Sequence, residues 1–324
     1  MLKRLAMTAM TAAFLPLFAM PAAAAEIRIA FAISDDIYLA PVFAAERLGL
    51  FRDADIQIRR LNIRGAENIQ QALKSGQADI IDASGPAAAQ AFPGGAGGKI
   101  VAGAANGFYG WTVVSREDAV IPTIRQLAGK SVGVSSTHSL SDMAAQLTAE
   151  NHSIKFDLVS LGAGAIVPEL RAGKVDAIIS SALLGLREVS AGRARIVFDL
   201  GLDHAPFLVS GYVASTRMIE TRQRDLKAFI AATTQALTHM QSDRKWSIDL
   251  LKEYARITDN GYAERLHDTV IMNLNSDPQI SAESLKEALD LAARAWKQPE
   301  LAALPVAALF TNEFAADAVP PKSQ

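Results

Sequence analysis

The chain has 324 residues, half of them apolar, with 32 Lys+Arg against 34 Asp+Glu and no cysteine. So even a charge balance gives no electrostatic handle for nucleic acid or an anionic membrane. Without cysteine there are no disulfides, thiolate catalysis or Cys-ligated metals, and the length suits two lobes of ordinary domain size.

Met1–Ala25 reads as an export signal. Lys3 and Arg4 precede a largely apolar stretch, Leu5–Met20, and Pro21-Ala-Ala-Ala-Ala25 supplies small residues for cleavage before Glu26. The apolar core is shorter than the ~20 residues of a spanning helix. With no cysteine to carry lipid, the mature chain is expected to be soluble, exported and not a lipoprotein. Cleavage removes two of the 32 basic residues and leaves a net charge of −4. The five histidines never fall at i, i+4 or in HExxH spacing, so neither a metal nor another cofactor is expected.

Ile27-Arg-Ile-Ala-Phe-Ala-Ile33 has the pattern of a first strand. Ser34-Asp35-Asp36 follows as a loop, and a helix is expected over Tyr38–Arg47, with Pro41 in its first turns and a stop at Gly49. Ile56–Leu61 alternates as a second strand. Ala72-Leu-Lys-Ser-Gly-Gln-Ala-Asp-Ile-Ile-Asp-Ala-Ser84 then occurs again as Glu169-Leu-Arg-Ala-Gly-Lys-Val-Asp-Ala-Ile-Ile-Ser-Ser181. Each copy reads as a helix end, a glycine stop at Gly76 or Gly173, and a short buried strand ending in hydroxyl residues. Ligands of open α/β sheets sit beyond the carboxyl ends of the strands. Two lobes are therefore expected to offer Ser84, with Gly85, and Ser181 to one cleft; the plain alternative is that helix–Gly–strand units recur in any α/β protein. Ser34, Asp36 and Tyr38 join the candidate ligand contacts from the first strand's end.

Pro93-Gly-Gly-Ala-Gly-Gly-Lys99 fails the phosphate-loop pattern, with Pro93 where the first glycine belongs and Ile100 after the lysine. It reads as a connection. Asn106-Gly-Phe-Tyr-Gly-Trp111 is an aromatic cluster that either packs in the core or lends Tyr109 and Trp111 to a ligand. Ser135-Ser-Thr-His-Ser-Leu-Ser-Asp142 opens a helix through Glu150. Its free N–H groups and hydroxyls make Thr137, His138 and Ser139 candidates for holding an anion, against the alternative of an ordinary N-cap. Asp199 and Asp203-His204 have no further partners that would complete a metal or catalytic set. Beyond Thr221 the pattern is helical, over Asp225–Met240, Lys245–Ala255, Tyr262–Met272 and Ser281–Trp296, with a loose end around Pro305, Pro320 and Pro321.

Three stretches carry a family resemblance: Ala40-Pro-x-x-x-Ala-x-x-x-Gly-Leu-Phe51, Gln71-Ala-Leu-x-x-Gly-Gln-Ala-Asp79 and Leu127-Ala-Gly-Lys-Ser-Val-Gly-Val134. They resemble periplasmic solute-binding proteins of ABC importers, of the nitrate/sulfonate/taurine and thiamine-precursor type, from Ile27 to about Tyr254. The resemblance implies an α/β chain of the two-lobed type II periplasmic-binding-protein fold. Each lobe would be a mostly parallel sheet flanked by helices, and two hinge strands would join them. Thr112–Arg116 and Tyr212–Thr216 look alike and fit the hinge strands. They divide the mature chain into a first lobe over 26–111 and 212–324 and a second lobe over 112–211.

Two function classes follow. In one, a monomer closes its lobes on a small organic anion or zwitterion, such as a sulfonate or carboxylate, and delivers it to a membrane permease. In the other, the same fold is an enzyme acting on a pyrimidine or carboxylic acid. The thiamine-precursor branch includes relatives with a cysteine-rich active segment, and the lack of cysteine here counts against synthase chemistry. No Ser-His-Asp arrangement has motif support either, so a non-enzymatic role is expected. A third use of the fold, a regulator's effector domain, would need an N-terminal DNA-binding helix-turn-helix in place of the export signal. Asp35 and Asp36 would repel an anion and suit an amine, which keeps a zwitterion open.

Overall fold

The computed structural model describes residues 24–31, 36–63, 65–202, 206–316 and 318. Most of the expected export signal (residues 1–23), Ser34, Asp35, Asp203, His204, Pro320 and Pro321 lie outside the described residues, while Ala25, at the expected cleavage point, begins the first strand. In chain order the first lobe builds β1 (Ala25–Phe31), α1 (Ala40–Arg47), the single turn α2 (Leu50–Asp53), β2 (Ile56–Asn62), α3 (Ala66–Lys74), β3 (Ile80–Ala83), α4 (Gly85–Ala91) and β4 (Gly98–Asn106). The second lobe follows with β5 (Thr112–Arg116), β6 (Ser131–Val134), α5 (Leu140–Asn151), β7 (Asp157–Ser160), α6 (Ile166–Arg171), β8 (Ala177–Ser180), α7 (Ala182–Ser190) and β9 (Ala194–Asp199). The chain returns through β10 (Leu208–Ser215) and adds α8 (Thr216–Thr221), α9 (Gln223–Ser242), α10 (Arg244–Tyr254), α11 (Asn260–Thr269), α12 (Ala282–Trp296) and the short α13 (Val306–Leu309).

Both five-stranded sheets follow one plan, β2-β1-β3-β10-β4 and β7-β6-β8-β5-β9. In each, one strand runs against its two neighbours: β10 between β3 and β4, and β5 between β8 and β9. The two copies of the sequence repeat occupy equivalent places in this plan. Gly76 and Gly173 both take the left-handed conformation, with φ of 74° and 70°, which a glycine adopts without a Cβ clash. Asp79 and Asp176 also act alike. Asp79 Oδ2 accepts the N–H of Arg28 at 3.0 Å, and Asp176 Oδ2 accepts that of Ser131 at 2.9 Å. Each aspartate's own N–H donates back, to the carbonyl of Arg28 or Ser131. Each one thereby pins the start of an inner strand to its parallel neighbour.

The crossings between lobes differ from the expectation in one respect. Thr112–Arg116 and Tyr212–Thr216 do not bridge the lobes; β5 and β10 are each the reversed strand of a single sheet. The chain crosses in the segments before them, between Asn106 and Thr112 and between Asp199 and Leu208. Gly211 pairs with Ala83 and Gly103 inside the first sheet, so the change of lobe falls upstream of it. The reason is register: β10 must extend back to Leu208 to pair with Asn106 at the end of β4.

The C-terminal helices buttress the first lobe as expected. Phe51 of α2 stacks on Phe229 of α9 with ring centroids 5.8 Å apart, and Tyr212 of β10 meets the same ring edge-on. Around Pro305 the described part of the C-terminal segment packs on the first sheet rather than lying loose. Phe310 bridges to Ile100 of β4, and Phe314 and Ala315 are fully buried.

Candidate functional site

The topology brings the carboxyl ends of β1, β3 and β4 to the edge where the first crossing leaves. The same crossing enters the second sheet at the edge holding the carboxyl ends of β6, β8 and β9. The chain therefore leaves the first sheet and enters the second at their carboxyl-end edges, with Ser84 directly after β3 and Ser181 directly after β8. The crossings bond to each other: Gly107 N–H donates to the Phe207 carbonyl and Leu200 N–H to that of Trp111. Gly110, at φ 75°, has no room for a side chain, since a Cβ there would lie 2.5 Å from Val270 and 2.8 Å from Ala182.

The C-terminal helices contact the second sheet's helices in two places, at α5 and at α7. His138 lies 5.4 Å from the Trp296 ring, and Arg294 lies 3.6 Å from Glu150. At α7 Tyr262 donates to the Leu183 carbonyl, Arg187 to that of Ala255, and Arg265 to Ser190 Oγ.

On the first lobe the Asp36 carboxylate accepts the N–H of Tyr38, and Tyr254 donates its hydroxyl to the Asp36 carbonyl at 2.6 Å. Tyr38 and Trp111 come together, but in the core. Trp111 Nε1 donates to the Tyr38 hydroxyl at 2.8 Å, and burial pushes the Tyr38 pKa well above its usual value. Phe108 packs on Trp111 and Phe207 at 5.6 and 4.9 Å, so most of the aromatic cluster is hinge packing; Tyr109 alone remains half-buried. Ser84 caps α4, accepting the N–H of Ala87 at 3.3 Å. Gly85 answers a packing demand, since a Cβ there would come within 3.0 Å of the Leu208 carbonyl and of Leu285.

Sequence reasoning missed Asp82. It is the penultimate residue of β3, half-buried, and accepts the Ser210 hydroxyl at 2.5 Å. Burial pushes its pKa up to about 7; the negative charge of Asp36 adds to the rise and the Ser210 hydrogen bond opposes it. A signal was available in the repeat, where the residue opposite Asp82 is the fully buried Ile179. An acid replacing an apolar residue in an inner strand calls for a reason.

On the second lobe the Ser/Thr cluster mostly serves its own helix. Ser139 Oγ accepts the N–H of Asp142 at 3.2 Å and donates to the Ser136 carbonyl at 2.6 Å. Ser141 Oγ accepts the N–H of Ser135 and shares hydrogen bonds with the hydroxyls of Ser135 and Ser139. The buried Asp142 carboxylate accepts the N–H of His138 at 2.8 Å, so the start of α5 already carries an anion of its own. Thr137 and His138 are exposed. The start of α7 is different. Ser181 holds the N-cap position without a capping bond, and the first turn has no acidic residue. Beside it the hydroxyls of Thr112 and Ser180, paired across β5 and β8, are buried without partners. Among the described residues no group of three acidic or His side chains could hold a metal.

The model of one protein family, described as NMT1/THI5-like, matches residues 36–245. The chain belongs to the NMT1/THI5-like family. Among curated proteins no match is found. Solved structures share the fold at low identity. The ligand-binding component of an ABC-type import system from Staphylococcus aureus, with zinc bound, superposes with TM-score 0.74 at 13% identity, over 91% of this chain and 99% of that one. The periplasmic sulfonate-binding protein SsuA of Methylobacillus flagellatus KT gives 0.69 at 15% identity, over 91% and 94%. A cysteine-to-serine mutant of DszB in complex with biphenyl-2-sulfinic acid gives 0.66 at 14% identity, over 91% and 99%. This NMT1/THI5-like chain thus has the periplasmic-binding-protein fold expected from its sequence. No helix among its described residues is long and apolar enough to cross a membrane.

Proposed function

We propose that the protein is the solute-binding component of an ABC importer and closes its two lobes on one small zwitterion. After removal of Met1–Ala25 it works as a soluble monomer in the periplasm and hands the solute to a membrane permease. What supports the solute class is an acidic pair at the carboxyl end of the first sheet together with a helix start after β8 that has no side-chain cap and no acidic residue in its first turn. Asp36 and Asp82 suit a protonated amine, while Ser181 and the free N–H groups opening α7 suit a carboxylate or sulfonate. Tyr109 is the aromatic residue left to pack on the solute's body. The fold shared with a sulfonate-binding protein supports the acid end of this assignment.

Thermal melts with matched solutes test the reading. Amino acids and amino-sulfonates should raise the melting temperature more than the same acids lacking the amine. The gap should widen as the pH rises through about 7, where Asp82 becomes charged. Equal shifts from the amine-free acids would remove the amine assignment.

A second reading, an enzyme on the same fold, draws on the same residue. An acid with a pKa near 7 is suited to proton transfer. Chemical change of a bound pyrimidine or carboxylic acid, abolished by Asp82→Asn, would favour it over transport.

A further inference from the structure

We propose that a cavity at the ends of β1 and β2 is a second binding site, apart from Ser84 and Ser181, that takes a small organic anion with an apolar body through Arg256. The cavity measures about 520 Å³, within the range of pockets that enclose whole small molecules. Its apolar wall is aromatic, made by Phe31, Phe43 and Tyr254, with Phe43 and Tyr254 at 5.3 Å and tilted.

Most charges around it are already matched. Arg60 pairs with Glu46 and Arg47 with Glu253, and both guanidinium groups lie over the Phe43 ring, at 5.1 and 5.4 Å. Arg256 is the exception. It lines the cavity and has no ion pair or hydrogen bond from its side chain among the described residues.

Its backbone is also strained. Arg256 follows α10 with φ 53°, where its N–H closes on the Glu253 carbonyl and that of Ile257 on the Lys252 carbonyl. This is the turn that glycine favours, and a side chain there costs about 1 kcal/mol or more. An exposed guanidinium without a partner among the described residues, lining an aromatic-walled cavity, is placed to receive an anionic ligand. A guanidinium binds a carboxylate through two parallel hydrogen bonds, and the rings suit an apolar body. Tyr254, which lines this cavity, also donates its hydroxyl to the Asp36 carbonyl, and neither Asp36 nor Asp82 is among the lining residues.

Calorimetry and amide NMR on the mature chain test the site, with benzoate as probe. Benzamide serves as its neutral isostere, and acetate as the anion without a body. One benzoate should bind per chain, with benzamide and acetate roughly tenfold weaker or more. The amides of Asn62 and Arg256 should shift, and those of Ser84 and Ser181 should stay. Arg256→Gly should lose benzoate at least tenfold while melting no lower, because it relieves the strained turn. Arg256→Gln, which keeps the turn and removes the charge, should show the same loss. Absence of benzoate binding, binding that survives both substitutions, or shifts confined to Ser84 and Ser181 would each overturn the proposal. The last outcome would leave the proposed function intact.

Discussion

Asp79 accepts three hydrogen bonds from Arg28, one from its backbone N–H and two from its guanidinium, at 2.8–3.0 Å. Arg217 and Arg222 also lie within 3.1 and 3.6 Å of the carboxylate. Burial alone would raise the Asp79 pKa, but the Arg28 hydrogen bonds outweigh it and hold the group ionised below the usual range. The same aspartate in the second lobe, Asp176, is 39% exposed against 1% for Asp79, and Ser131 rather than an arginine is its main partner.

Removing the two aspartates should therefore have unequal effects. Asp79→Ala removes three hydrogen bonds from the partly exposed Arg28 and should cost roughly 2–3 kcal/mol. Asp176→Ala should cost about 1 kcal/mol, the typical value for an accessible hydrogen bond. Urea denaturation of both variants measures the difference. Similar losses would mean that the repeat's aspartates do not act as the geometry describes.

Asp82 should give stability an inverted pH dependence. Its folded pKa of about 7 lies above the ordinary carboxylate value near ~4, so the folded chain holds the extra proton across that window. Stability from this group is therefore present at the acidic end and falls as the pH rises towards 7. Asp82→Asn should leave the melting temperature little changed near pH ~3, below both values, and raise it increasingly as the pH climbs from ~4 to ~8. A parallel pH profile for the variant would show that Asp82 does not titrate there.

Two serines at helix starts should separate binding from capping. Ser139→Ala removes the cap of α5 and should cost about 1 kcal/mol in the empty protein while leaving the solute-induced rise intact. Ser181→Ala removes no capping bond, so the empty protein should melt unchanged. Its solute affinity should fall roughly tenfold, the value of a hydrogen bond to a charged group. Melts with and without solute decide the matter. A lost solute shift in Ser139→Ala, with the empty protein unaffected, would move the anion end back to the start of α5.

Much of this fold was legible because its signals are local. Gly76 and Gly173 mark helix ends by a conformation other residues resist, and the repeat around them places both inner strands. The crossings were legible only in part. Thr112–Arg116 and Tyr212–Thr216 both fall in the reversed strand of their own sheet, and strand direction is a tertiary property without a local signature. The Ser/Thr cluster at Ser135–Ser141 illustrates the limit for sites. Its composition fits an anion site or an elaborate cap equally well, and only the position of Asp142 separates them. Tyr38 and Trp111 were identified for their aromatic faces, but their pairing at 2.8 Å depends on chain segments far apart in sequence. Asp82 was the opposite case, an acid within an apolar strand whose repeat partner Ile179 marked it as unusual.

The central claim is that the two strand edges hold one small zwitterion between them. Native mass spectrometry of the protein, collected from the periplasm without denaturation, tests it most directly. The account predicts a population carrying one extra small mass per chain, shed on unfolding and identified as a molecule with both an amine and an acid group. A chain found only at its bare mass, which gains none on exposure to amino acids and amino-sulfonates, would contradict it.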